Sequence, residues 1–284
     1  MTDLSAKDLE DLSDKINDEI DNYSLKTLRD KPRTHLGISE IGSPCARQLY
    51  YKFHWCGFQT YETEHDEARM LRLFKRGHRE EERFINYLEG IGFQVSRFDE
   101  NGKQFRVSGV MGHYGGSCDG IAITPWLPDR FLLEFKTHNS KSFLNYLDKG
   151  LHKAKPQHFA QMSGYGYHMN IEYGIYFPEN KNDDDIRVRV IKLDHKLGRE
   201  LEQKAADIIT AVEPPPKISE NPAYFECKFC EFLDICHYGA SPIKNCRSCR
   251  SAMPTNDAKW TCTRYNQVIP SEFIERGCND WLPI

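Results

Sequence analysis

Apolar positions recur at helical spacing at the start of the chain. Leu4, Leu9, Leu12, Ile16, Ile20 and Tyr23 carry acidic residues between them, which predicts an amphipathic helix or helical arm over 4–28. A Pro- and Gly-containing stretch over 31–44 follows, and then a short predicted helix entered at Ser43-Pro44. Over 66–90, Leu71, Phe74, Glu81, Ile85 and Leu88 share one stripe of a longer helix, closed by Gly90 and Gly92. The period then changes. Strand-like pieces cover 93–98, 104–110, 117–124 and 131–136, with the turn at 125–130 joining the last two as a hairpin. Helical patterns return at 141–151 and 156–169, strands at 172–177 and 186–193, and a helix at 196–212 that runs into Pro214-Pro215-Pro216, where no helix can continue. The remainder is rich in cysteine and turns, and no internal repeat is visible. This order predicts an α/β fold, a mixed central sheet flanked by helices.

A chain of 284 residues, 39% hydrophobic and 28% charged, has an ordinary globular balance and can bury one large core or two. Its apolar runs are too short to span a bilayer, so no membrane partner is expected. The acidic N-terminus lacks the apolar core of a secretory signal, which points to a cytoplasmic protein. A net charge of −4 does not by itself favour nucleic acid. The basic residues are clustered, however: Arg69, Arg72, Lys75, Arg76, Arg79 and Arg83 in one segment, Lys136, Lys141, Lys149, Lys153 and Lys155 in another. Each cluster is either a solvated helix face or one wall of a nucleic-acid groove, with Arg76, Arg79, Lys141 and Lys155 as candidate contacts.

Candidate chemistry gathers on the predicted hairpin. Alternation over 131–136 turns Phe131, Leu133 and Phe135 to one side, the core side, and Leu132, Glu134 and Lys136 to the other. Asp119 lies on the partner strand among Gly115, Gly116 and Gly120, which permit close approach of backbone or ligand. Two neighbouring carboxylates on an apolar sheet repel each other and lose hydration. A hard divalent cation, Mg2+ or Mn2+, relieves both problems and suits phosphodiester hydrolysis, with Lys136 serving water and phosphate. The alternative for these three residues is a hairpin ion pair, and for Glu81, an acid on an apolar stripe, a salt bridge to an arginine.

These residues resemble the RecB-like branch of the PD-(D/E)XK nucleases, which includes the CRISPR-associated exonucleases and AddB-type nucleases. Four motifs run in family order: Gly77-His78-Arg79-Glu80-Glu81, Asp119 in Cys118-Asp119-Gly120-Ile121, Glu134-Phe135-Lys136, and Gln161 followed four residues later by Tyr165. The resemblance implies a restriction-endonuclease-like core in which Asp119, Glu134 and the Phe135 carbonyl hold the cation. Glu81, a further expected catalytic residue and cation ligand, stands where many relatives carry histidine, with His78 nearby. Lys136 would serve the water, and Gln161 and Tyr165 would orient lysine and DNA.

Ten cysteines are many for a reducing compartment, where clustered thiols point first to metal. Cys227-x2-Cys230-x5-Cys236 follows the proline linker, and Cys45 is the candidate fourth ligand. The same branch carries an iron–sulfur cluster with one cysteine before the nuclease motifs and three after, so a 4Fe-4S cluster is implied, with Zn2+ as the runner-up. Cys246, Cys249, Cys262 and Cys278 lie beyond that match and suit a structural Zn2+, with His237 a possible substitute ligand in either set. Trp260, Arg247, Arg250, Lys259 and Arg264 among them could stack on bases and meet phosphates, or the tail could be a zinc-stapled knob. Cys118 is expected to be a core thiol. No phosphate-binding P-loop or His-Glu-x-x-His motif is present.

The expected organisation is a helical arm over 1–40, a nuclease domain over 41–240 closed by the cluster, and a zinc-binding-like tail over 241–284. The expected activity is that of a metal-dependent deoxyribonuclease, foremost an exonuclease on single-stranded DNA ends in recombination, repair or replication, with a replication or recombination protein as a possible partner. Alternatives are an endonuclease, a CRISPR-adaptation nuclease, or a non-catalytic binding module on a degenerate nuclease fold.

Overall fold

The computed structural model describes residues 5–29, 31–58 and 61–284; Leu4 lies outside the described residues. The chain forms two compact units, one from Met1–Pro32 and Gln59–Arg83, the other from Arg33–Phe58 and Phe84–Ile284.

In the first unit, helix α1 (Ala6–Leu28) is started by Ser5 and Asp8, which cap each other's backbone N–H groups. It lies against the start of helix α3 (Glu64–Gly90), which continues into the second unit. Polar contacts join the two. Asp21 takes His65 at 2.6 Å and Arg72 at 2.7 Å, and Arg29 grips Glu67 through two bonds of 2.8 Å. The predicted apolar stripe of α1 therefore forms but is not buried: Leu9, Leu12, Ile16, Ile20 and Tyr23 are all exposed.

The second unit is built on a mixed five-stranded sheet of β2 (Gln94–Ser96), β5 (Gly120–Ile123), β6 (Arg130–His138), β7 (Tyr173–Asn180) and β8 (Arg189–Lys192), in the order β2-β5-β6-β7-β8. Only β6 and β7 are parallel, and the crossover joining them carries α4 (Ser140–Ala154) and α5 (Pro156–Met169). Strand β6 is interior on both faces. Phe131, Leu133 and Phe135 pack with Phe84, Ile85 and Leu88 of α3 in a smaller core, while Leu132 lies in the larger core with Met162, Tyr165 and Tyr176. The sequence pattern predicts one core face for β6. Its second face is covered by the crossover helices, as expected of a strand with a parallel neighbour.

A small sheet of β1 (Leu36–Gly37), β4 (Tyr114–Ser117) and β3 (Arg106–Gly109) lies beside it in the order β1-β4-β3. The strand predicted over 117–124 is thereby divided: β4 ends in one sheet, β5 begins in the other, and Cys118-Asp119 is the link. Gly115 makes this close pairing possible, since a Cβ there would collide with the Val107 carbonyl. Helix α2 (Ala46–Phe53) and helix α6 (His195–Thr210) complete the larger core.

The cysteine-rich end contains α7 (Phe225–Lys228), α8 (Leu233–Tyr238), the antiparallel strands β9 (Ala252–Thr255), β10 (Lys259–Cys262) and β11 (Gln267–Val268), and α9 (Ser271–Ile274). It packs into the same core. Trp260 is 2% and Arg247 1% exposed, which withdraws both from any contact with nucleic acid. The Arg247 guanidinium lies 4.7, 4.3 and 4.8 Å from the ring centres of Phe53, Trp55 and Trp260, and donates to the carbonyls of Thr34, at 3.0 Å, and Phe53. Cation–π attraction and these acceptors compensate its desolvation, although burial still pushes its pKa down to about 9. Arg250, Lys259 and Arg264 stay exposed, with Arg264 paired to Asp280 at 3.2 Å. Among the described residues no helix is long and apolar enough to cross a membrane.

Arg247→Ala would leave the buried Phe53 carbonyl and the Thr34 carbonyl without this donor, and a cavity among three rings. It is expected to lower stability by about 3–5 kcal/mol, read as a shift in the denaturant midpoint of tryptophan fluorescence. A midpoint equal to the parent's would show that the buried guanidinium contributes nothing.

Candidate active site

Glu134 is fully buried at 0% exposure on the larger-core face of β6. A lone carboxylate there would be costly. Its Oε2 accepts from Gln161 Nε2 at 2.9 Å, and its Oε1 takes the Lys136 ammonium. Lys136, two residues on and on the same face, is partly exposed and so carries positive charge from the buried acid to the surface.

Asp119 is pinned to the same strand. The β5–β6 pairing reaches Gly120 opposite Leu133, and just beyond it the Phe135 N–H donates to Asp119 Oδ2 at 2.8 Å. The Asp119 carboxylate thus lies on the amide between Glu134 and Lys136. Gln161 and Tyr165, four residues apart, share a face of α5. The Tyr165 hydroxyl donates to the Ser117 carbonyl at 2.8 Å and rests on Gly116, where a Cβ would collide with it. Burial, and then the acids Glu134 and Asp119, hold this phenol in its protonated form. Gln161 thus grips the Glu134 carboxylate, and Tyr165 anchors the strand leading to Asp119.

A second layer is not predicted by the sequence pattern. Tyr176 stands opposite Glu134 on β7, and its hydroxyl lies 2.8 Å from His138 Nε2 and 2.9 Å from His158 Nδ1. His138 Nδ1 meets Ser142 Oγ at 3.1 Å, which also takes Lys155 Nζ at 2.5 Å. Burial pushes His138 down to about 4 and His158 down to about 3, with Lys136 and Lys155 adding to both. Alternation from Glu134 through Lys136 predicts His138 on this face. Tyr176 and His158 depend on parallel register and crossover packing, which leave no local signal.

Lys155, expected to contact nucleic acid, is partly withdrawn, and burial lowers its pKa; Lys141 is exposed. In the first unit Glu81 is half-buried, 3.1 Å from His78 Nδ1. Much of the basic run there is ion-paired: Arg69 with Asp66 at 3.7 Å, Arg72 with Asp21 at 2.7 Å, and Arg76 and Arg83 with Glu80 at 3.7 and 2.7 Å. Arg79 is exposed.

Cys45, at the N-cap of α2, lines one cavity of ≈ 20 Å³ with Cys227, Cys230, Cys236 and His237. Cys246, Cys249, Cys262 and Cys278 line another of ≈ 260 Å³. All are free thiols, and among the described residues no three His, Cys, Asp or Glu side chains stand close enough to share one ion. Cys118 is buried in the larger core, its thiol pushed up to about 12 by burial and the neighbouring Asp119.

No family model matches the chain, and no curated protein matches it. Among solved structures it is similar to an alkaline exonuclease (LHK-Exo) from Laribacter hongkongensis at 15% identity and TM-score 0.44, covering 67% of this chain and 90% of that one. The same exonuclease in complex with dAMP gives 16% identity and TM-score 0.41, over 62% of this chain and 86% of that one. A protein named SSO0001 gives 18% identity and TM-score 0.42, over 81% and 98%. Likenesses this distant set neither fold nor activity, and the reading of the site rests on its own residues.

The neutral histidines make stability depend on pH. Unfolding returns each imidazole to its ordinary pKa of about 6.5. Between pH 6.5 and 4 the unfolded chain therefore binds protons that the folded chain does not, and stability falls as pH drops through that window. The loss is at most about 1.4 kcal/mol per pH unit for each such imidazole. Denaturant midpoints measured from pH 7 to 4.5 should decline. A flat profile would mean that these rings are not held neutral.

Proposed function

We propose that the chain is a divalent-metal-dependent deoxyribonuclease of the PD-(D/E)XK type that hydrolyses phosphodiester bonds at DNA ends, acting on single strands in recombination, repair or replication. One observation carries this reading: a fully buried Glu134, gripped by Lys136 and Gln161, beside Asp119 on the Phe135 amide. An ion pair serving stability alone has no need of the second carboxylate, since an apolar pair would cost less.

The donors suit Mg2+ or Mn2+. Asp119, Glu134 and the Phe135 carbonyl are hard oxygen ligands, and such ions take one or two carboxylates and leave their remaining positions to water and phosphate. Held by these residues, such an ion would supply positive charge that lowers the pKa of a bound water and offsets charge on the phosphoryl oxygens. Lys136 orients the attacking water by hydrogen bonding and carries charge toward the phosphate. Gln161 keeps one Glu134 oxygen engaged, so the carboxylate cannot rotate. Tyr165 fixes the Ser117 carbonyl, and with it the chain entering Asp119.

Cys45, Cys227, Cys230 and Cys236 are proposed to hold a 4Fe-4S cluster. A single zinc draws its thiolates to about 2.3 Å from one point, whereas a cluster offers each thiolate its own iron. Four thiols line one cavity, and soft thiolates suit iron–sulfur ligation. For the tail cysteines a structural Zn2+ is proposed, whose binding would draw the loops around their larger cavity inward.

Asp119→Ala and Lys136→Ala are each expected to cut degradation of end-labelled single-stranded DNA by about 10²–10³-fold or more, with the fold retained by circular dichroism. EDTA should stop the parent and Mn2+ restore it. Digestion at the parental rate by either variant would remove the assignment. The purified protein should also be brown and contain iron; a colourless protein carrying only zinc would overturn the cluster.

A further inference from the structure

Arg33, just before β1, and Arg106, which opens β3, flank His35 on the small sheet. Arg106 Nη2 lies 3.5 Å from His35 Nδ1. A guanidinium has donors only, so Nδ1 is the acceptor and the ring proton of this neutral histidine sits on Nε2. Burial, then Arg106 and Arg33, drive His35 down to about 4. Glu40 reaches Arg33 at 3.3 Å and Lys52 at 2.9 Å, Lys52 also meets Glu231 at 3.2 Å, and the buried Arg247 adds a guanidinium behind, on the Thr34 carbonyl. Both Arg33 and Arg106 are exposed.

This cluster adjoins the carboxylates. Arg106 pairs with Ser117 in the β3–β4 register, the Ser117 carbonyl takes the Tyr165 hydroxyl, and Asp119 follows two residues later. Arg33 acts on the Tyr165 phenol in opposition to Glu134 and Asp119. Groups of both signs thus act on Tyr165.

We infer that Arg33, His35 and Arg106 form a phosphate-binding subsite that receives the backbone of a nucleic-acid strand next to the bond being cut. Two forked guanidiniums and an imidazole N–H are donors suited to phosphate oxygens. Contacts of this kind position a strand without reading its sequence. The inference rests on the nuclease reading and adds to it the residues that hold the strand.

The test measures binding of a fluorescent single-stranded oligonucleotide across a salt series, in the full chain carrying Asp119→Ala to prevent cleavage. Adding Arg33→Ala and Arg106→Ala should weaken binding about tenfold or more at low salt. It should also flatten the slope of log affinity against log salt by about 0.7 for each phosphate that is no longer neutralised. Arg33→Lys with Arg106→Lys keeps the charge and should retain the slope at an intermediate affinity. Folding is checked by melting temperature, and the lysine pair preserves the test if the alanine pair misfolds. Unchanged affinity and slope in the alanine pair, while the parent cleaves DNA, would overturn the subsite and leave the nuclease intact. A parent that neither binds nor cleaves DNA would overturn both.

Discussion

A carboxylate at 0% exposure, on a strand that is interior on both faces, is the constraint around which this molecule is arranged. Glu134 can remain there only if each oxygen is engaged, and the fold supplies one partner from the strand itself and one from the crossover helix. That helix must lie close to β6, which fixes the path of the β6–β7 connection. Gln161 brings Tyr165 with it one turn later, and the tyrosine needs a glycine beneath it and a carbonyl to hold, which Gly116 and Ser117 provide. The lysine, the glutamine and the tyrosine anchored on the strand leading to Asp119 are therefore set by one packing problem. The same burial confers chemical capacity, because charge held in a dry, preorganised setting acts more strongly than charge in water.

The cysteine-rich end meets this core through α2. Cys45 caps the start of the helix, where its sulfur accepts the Gln48 amide at 3.4 Å. At the other end, Asn245 donates to the Trp55 carbonyl at 2.9 Å, Arg247 donates to that of Phe53, and the Arg247 carbonyl lies 2.6 Å from His54 Nδ1. One set of cysteines adjoins the first turn, and Cys246-x2-Cys249 brackets Arg247 at the last. An eight-residue helix is too short to be stable alone. Clamped at both ends, it becomes a rigid wall of the larger core, and the tail is an integral part of the second unit.

Local rules make the sequence legible wherever chemistry and period coincide. Proline at 156 and the stripe over 66–90 place helices because proline geometry and the 3.6-residue period act within one element. Alternation places Glu134 and Lys136 together for the same reason. Where the sequence falls short, the cause is distant in the chain. The exposed stripe of α1 has no local signal, because Asp21 and Ser24 prefer Arg72, some fifty residues away. Trp260 and Arg247 read as surface groups among cysteines until the rings of Phe53 and Trp55 close over them. The split at Cys118-Asp119 arises because β4 is needed in a second sheet, a demand set by β1 and β3. Tyr176 and His158 enter the site only through register.

On the proposed reading, the distribution of charge reconciles an acidic chain with a polyanionic substrate. The net charge of −4 is spread over a surface whose helical arginines are mostly neutralised in place, as Arg29, Arg69 and Arg72 are by neighbouring acids. Such pairs add little attraction for a phosphate backbone, since their fields cancel within a Debye length. Near the acids, local positive charge comes from Lys136 emerging from its buried partner and from Arg33 with Arg106 about an imidazole that cannot share their charge. A few cations beside a dry acidic pair can focus a strand on one point. A uniformly basic face would hold it anywhere along its length. On the proposed nuclease reading, position, and not total charge, is then what selects the bond to be cut.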